Sequence, residues 1–88
     1  LLRRACSTRA SACAHAADVY AEEHATREAL SLYDLACDRG DARACMTAGD
    51  LYARGAGALA SPILARRRYE LACRAGVDAA CGRAAPSQ

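Results

Sequence analysis

The chain has 88 residues, 53% of them apolar, with 12 basic and 10 acidic side chains and a net charge of +2. A chain this short makes one domain that buries little more than half of the surface its unfolded form exposes. Its acids and bases interleave without the basic stripe that phosphate backbones require, which argues against a nucleic-acid partner, and no stretch approaches the roughly 18 apolar residues of a membrane span.

Apolar residues recur at spacings of three and four along the chain, the period of a helix. In chain order the pattern predicts helices near 1–6, 10–22, 26–38, 42–53, 62–74 and 78–84. The first segment, Leu1-Leu2-Arg3-Arg4-Ala5-Cys6, has neither an initiator Met nor a signal-peptide pattern. It reads as the second helix of a preceding pair, so the chain is expected to be a mature protein or a piece of a longer one. Gly40 suits the left-handed end of helix 26–38, and Asp41 can cap the helix that follows. Arg54-Gly55-Ala56-Gly57-Ala58 is the next hairpin loop; its two glycines lack the preceding strand and the trailing Gly-Lys-Ser/Thr of a phosphate-binding loop. Ser61-Pro62 supplies a capping hydroxyl and a proline where a missing N–H costs nothing. Gly76 takes the role of Gly40, and Pro86 ends the last helix. Arg66-Arg67-Arg68 fans over nearly a full helical turn and reads as a solvated face.

Self-comparison finds a period of 36. Tyr33-Asp34-Leu35-Ala36-Cys37-Asp38-Arg39-Gly40 recurs as Tyr69-Glu70-Leu71-Ala72-Cys73-Arg74-Ala75-Gly76, and Ala44-Cys45 recurs as Ala80-Cys81. A degenerate earlier copy has Ala5-Cys6 and Ala12-Cys13 at the same junction, and Val19-Tyr20 where the next has Leu51-Tyr52. The units are 10–41 and 42–77, with 1–9 and 78–88 as partial or capping helices of one domain, 1–88. Large apolar residues are few: nine Leu, two Val, one Ile, one Met and four Tyr, with no Trp or Phe. An alanine-rich core packs helices closely but buries little area per residue, so cross-links are the expected supplement.

The six cysteines supply them. Cys6 and Cys13, Cys37 and Cys45, and Cys73 and Cys81 each span the last turn of one helix and the first turn of the next. Across a tight turn such positions face each other within the roughly 4.4–6.8 Å Cα separation of a disulfide. Six cysteines allow fifteen pairings, and the repeat favours the sequential one, because each unit must make the same local structure. Zinc binding would call for close Cys-x-x-Cys pairs, which are absent, even with His15 and His24 nearby; six reduced, buried thiols are the other alternative. Oxidised pairs imply a periplasmic, secreted or cell-surface location.

The junction Tyr-x-Leu-Ala-Cys-x-x-Gly-x-x-x-Ala-Cys, followed by Gly49-Asp50-Leu51-Tyr52, resembles the bacterial cysteine-rich Sel-one-like repeat proteins, relatives of the tetratricopeptide superhelix with a 36-residue unit. The likeness covers nearly the whole chain and is best in the second unit; the first has Ala17-Asp18-Val19-Tyr20 instead. The resemblance implies an all-α, right-handed solenoid of helical hairpins with disulfides across the repeat junctions. It implies a scaffold or ligand-binding role, and the leading expectation is a module whose concave groove holds a protein or peptide outside the cytoplasm. Some members are described as binding or weakly hydrolysing penicillin-type lactams, so a lactam-directed hydrolase is one alternative, and a purely structural segment of a longer solenoid is another.

In such a solenoid the first helix of each pair lines the groove. Helical spacing turns Cys13, Ala16, Ala17 and Tyr20, and Cys45, Ala48, Gly49 and Tyr52, toward the core. The opposite stripe carries Ser11, Ala14, Asp18 and Ala21, and Arg43, Met46, Asp50 and Ala53. From these, Ser11, Asp18, Arg43, Met46 and Asp50 are the candidate ligand-binding residues. Asp18 and Asp50 could accept peptide N–H groups or a basic side chain, and equally could serve neighbouring helix termini or face water. Met46 is either adaptable surface or gap filler, and the four tyrosines read as core. His15 and His24 have no repeat-fixed Ser or Cys partner, so no catalytic residue, metal or cofactor is assigned.

Overall fold

A computed structural model describes residues 10–84. Five helices follow one another: α1 (Ala10–Glu22), α2 (Thr26–Asp38), α3 (Ala42–Arg54), α4 (Pro62–Arg74) and α5 (Asp78–Ala84). Four expected ranges are matched and the 42–53 helix runs one residue longer. The helix expected at 1–6, Cys6 and Pro86 lie outside the described residues, among which there is no strand.

One motif ends four of these helices. After α2 the Gly40 N–H donates to the Cys37 carbonyl at 2.9 Å and the Asp41 N–H to the Ala36 carbonyl at 3.0 Å; after α4, Gly76 and Val77 repeat this on Cys73 and Ala72, both at 3.0 Å. Gly55 and Ala56 close α3 on Tyr52 and Leu51, and His24 and Ala25 close α1 on Ala21 and Tyr20. The motif requires one left-handed residue. Three copies place glycine there, and the first places His24 at φ 63°, a conformation uncommon for a residue with a Cβ.

Helix starts follow the expected chemistry. The Asp41 carboxylate accepts from the Ala44 N–H at 2.9 Å, the Ser61 hydroxyl accepts from the Leu64 N–H at 3.2 Å, and Pro62 opens α4.

Each helix packs chiefly on its sequence neighbours, and the molecule is elongated, 44 × 25 × 16 Å. Cys13, Ala14, Ala16, Ala17, Ala29 and Leu30 belong to one buried cluster, shared by α1, α2 and α3. Ala65, Tyr69, Ala72, Ala80 and Ala84, with Cys37 and Cys45, form a second. Tyr52 packs against both. Ion pairs sort the helices into two rows: Arg43 to Asp18 and Arg83 to Asp50 join α1, α3 and α5, while Arg68 to Asp34 and Asp38 joins α2 and α4.

Two disulfides stand where the spacing puts them. Cys37–Cys45 links α2 to α3 with a Cα separation of 4.5 Å, and Cys73–Cys81 links α4 to α5 at 4.7 Å. Cys13 is disulfide-bonded as well, and Cys6, its expected partner, lies outside the described residues.

Candidate functional site

Three copies of one side-chain arrangement organise the molecule. In each, an aspartate on one helix accepts from a tyrosine hydroxyl on the next helix and pairs with an arginine on the helix after that. Asp18 of α1 meets Tyr33 of α2 and Arg43 of α3, the guanidinium at 3.0 Å. Asp34 of α2 accepts from Tyr52 of α3 at 2.5 Å and pairs with Arg68 of α4 at 3.0 Å. Asp50 of α3 accepts from Tyr69 of α4 at 2.7 Å and from Arg83 of α5 at 2.6 Å.

The repeated aspartates thus already have partners inside the fold, a tyrosine and an arginine each. Asp18 and Asp50 cap no helix terminus and are part-exposed; the tyrosine hydroxyl of the following helix donates to each. Tyr33 and Tyr69 are core residues by their rings, 4% and 7% exposed, and satisfy their hydroxyls at the core edge, as a buried phenol must.

The five candidate residues are placed as follows. Ser11 is exposed on α1. Asp18 and Arg43 form one ion pair with side chains 39% and 61% exposed. Met46 is half-buried, its sulfur 4.0 Å from an Arg83 nitrogen, and Arg83 also holds Asp50. Four of the five thus join two clusters, Asp18 with Arg43, and Met46 with Asp50 and Arg83. Ala14, expected on the groove floor, is 2% exposed and belongs to the core cluster. Arg83 was not foreseen, because the 36-residue period carries Arg43 onto Ala79 and not onto Arg83.

The electrostatics differ between copies. Burial opposes the charge on Asp18, but hydrogen bonds from Tyr33 and Arg43 outweigh it and hold the carboxyl below the ordinary carboxylate range. At Asp34 burial wins over Tyr52 and Arg68, and the carboxyl is pushed up. Arg68 Nε lies 3.0 Å from Asp34 Oδ1 without hydrogen-bond alignment, so that buried oxygen is compensated by charge alone. Burial and the bonded carboxylate raise all three phenols, Tyr52 to about 12, which keeps them protonated donors at neutral pH.

Chemically, the α1–α3–α5 face offers two half-exposed guanidiniums fixed in place, beside a thioether and two carboxylates already engaged. His15 is exposed on α1 and His24 in the turn after it, and among the described residues no three His, Cys, Asp or Glu gather as a metal site would need. No helix among them is long and apolar enough to cross a membrane. Comparison with protein-family models, curated proteins and solved structures finds no match for this chain.

Proposed function

We propose that the chain is a binding scaffold of the cysteine-rich Sel-one-like repeat type, a right-handed solenoid of helical hairpins that works in an oxidising compartment, periplasmic, secreted or at the cell surface. Its α1–α3–α5 face receives a protein or peptide. The observation that carries this reading is the pair of half-exposed guanidiniums, Arg43 and Arg83, each anchored on an aspartate that a tyrosine of a further helix holds in turn. Anchoring of this kind reduces the ordering cost of binding. The 36-residue period, in register with helix ends and disulfides alike, supports the repeat assignment.

With both aspartates engaged, the remaining donors on the face are arginine N–H groups, which suit carboxylates. A panel of acidic, neutral and basic peptides titrated onto the oxidised chain tests the proposal by fluorescence polarisation. Acidic peptides should bind, and Arg43→Ala or Arg83→Ala should weaken them about ten-fold while Ser31→Ala on α2 leaves them unchanged. Equal binding across the panel, or insensitivity to both arginine changes, would remove the face from consideration.

A further inference from the structure

The outer face of α4 is apolar where a repeat unit has no need for it to be. Leu59, in the loop before α4, is 92% exposed, Ile63 is 69% exposed, and Leu64 and Leu71 are each 40% exposed. At about 100° per residue, Ile63, Arg67, Leu71 and Leu64 fall within one arc of about 100°. That arc lies opposite Ala65, Tyr69 and Ala72, the residues by which α4 enters the core. The helix therefore carries two apolar faces, of which its own neighbours cover one.

The other unit is an internal control. The period maps Ile63, Leu64, Arg67 and Leu71 onto Arg27, Glu28, Ser31 and Leu35 of α2, a mostly polar face. All four α2 residues are exposed even though α4 packs beside α2 through Arg68, Asp34 and Asp38. A further helix stacked on α4 as α4 stacks on α2 would leave Ile63, Leu64 and Leu71 uncovered. Neither helix formation nor repeat stacking accounts for them.

We infer that this face of α4 docks an acidic amphipathic helix from a partner protein, with Ile63, Leu64 and Leu71 receiving its apolar stripe and Arg67 pairing with one of its carboxylates. Charge points to that occupant. Arg67 has no ion-pair partner among the described residues, and it stands one turn from both Ile63 and Leu71, in the middle of the apolar stripe. The neighbouring Arg66 is paired with Glu70 at 4.0 Å, which leaves Arg67 as the cation this face offers a partner. Laid against lipid, the stripe would carry Arg67 into hydrocarbon at its centre, whereas membrane-surface helices keep their cations on the opposite, polar side. A partner helix reads anchors at one-turn spacing and can set a carboxylate against the arginine.

The probe is a synthetic amphipathic helix with leucines on one stripe and glutamates beside them, titrated onto the isotope-labelled, oxidised full chain and followed by NMR. Shifts should map to residues 59–71 on the outer side of α4. Arg67→Glu should weaken binding about ten-fold and Leu71→Ser at least as much, while Leu35→Ser, the repeat-equivalent change on α2, leaves it unchanged. The same peptide with lysine for glutamate should not bind. Helical circular dichroism and intact disulfides in each variant separate lost binding from lost fold. The inference is overturned by absent binding, by shifts confined to α1, α3 and α5, or by equal binding of the lysine peptide. It is likewise overturned if only vesicles of phosphatidylglycerol bind the face, or if the chain dimerises through it and Leu71→Ser restores the monomer.

Discussion

Gly49 sits in the middle of α3, where glycine ordinarily costs a helix about 1 kcal/mol relative to alanine. Replacing it should nevertheless destabilise the protein. A Cβ built at Gly49 would stand 2.6 Å from Cε1 and 2.7 Å from Cδ1 of Tyr69, about 1 Å inside the separation at which carbon atoms attract. The ring cannot retreat cheaply. Tyr69 is 7% exposed, its hydroxyl donates to Asp50 at 2.7 Å, and the Arg83 guanidinium lies 5.8 Å from its centroid. Overpacking of this kind costs about 1–3 kcal/mol, and a displaced hydroxyl would lose about 1 kcal/mol more, since the Asp50 side chain is 39% exposed and water can replace the bond in part. Set against the helix gain, Gly49→Ala should lose about 1–3 kcal/mol in urea denaturation of the oxidised chain followed by circular dichroism. In a Tyr69→Leu background the same change should be neutral or stabilising, giving a coupling of about 2 kcal/mol in the double-mutant cycle. Stabilisation of the parent by the full helix-propensity gain, or a coupling under about 0.5 kcal/mol, would refute the clash.

Replacing Cys37 and Cys45, or Cys73 and Cys81, by serine opens a cross-link over a sequence separation of 8; each double change should cost about 2.5 kcal/mol in the chain-entropy account. Cys37 and Cys45 are buried whereas Cys81 is exposed, so mild reduction followed by alkylation and mass spectrometry should label Cys73 and Cys81 first, and simultaneous labelling would contradict the burial. His24→Gly should raise the unfolding free energy from urea denaturation by about 0.5–1 kcal/mol, because it relieves a left-handed residue that carries a Cβ. Carboxyl NMR should find Asp18 titrating below and Asp34 above an ordinary aspartate. The depressed Asp18 stabilises the fold above its unfolded pKa, and that contribution is lost as pH falls through its folded value. The raised Asp34 works in the opposite sense, its contribution being present below the unfolded pKa and lost as pH rises through its folded value. Asp18→Asn should therefore flatten acid destabilisation, and Asp34→Asn should not.

Local chemistry made much of the fold legible. Ser61, Pro62, Gly40, Gly76 and Asp41 carry their signals within a few residues of where they act, and the described helices fall within one residue of the periodicity. The pairings Cys37–Cys45 and Cys73–Cys81 were legible because the repeat demands the same local solution twice. The site was legible only in part. Asp18, Arg43, Met46 and Asp50 share a stripe that helical spacing reveals, but their partners are side chains 15 to 37 residues away. A period says which residues are equivalent and not which ones touch. Tyr33 and Asp18 each stood out as a repeated residue, yet nothing local joins a core ring to a surface carboxylate. Arg83 escaped because α5 supplies its cation from a different helical position than α3 does, a substitution that only the packed helices reveal.

The Asp–Tyr–Arg arrangement explains how so small an alanine core holds a defined stack. Alanine surfaces let helices approach closely, but they lack the protruding side chains that fix one crossing over another. The disulfides fix α2 on α3 and α4 on α5, the junctions between hairpins, and leave α1 on α2 and α3 on α4 to other means. Tyr33 to Asp18 and Tyr69 to Asp50 span those two interfaces, while Tyr52 to Asp34 adds a second tie beside the Cys37–Cys45 bridge. The arginines then carry each tie one helix further, within a row. Polar side chains thus set the relative placement of helices that apolar burial only brings together, and the Asp18–Arg43 and Asp50–Arg83 pairs are half-exposed, so water limits each to about 1 kcal/mol. Their effect is on which stacking is adopted more than on how stable it is. A Tyr33→Phe change tests that division: stability should fall by only about 1 kcal/mol, while amide exchange of α1 should rise well beyond that of α3. Uniform acceleration of exchange across both helices would show that the hydroxyl contributes stability without placing α1.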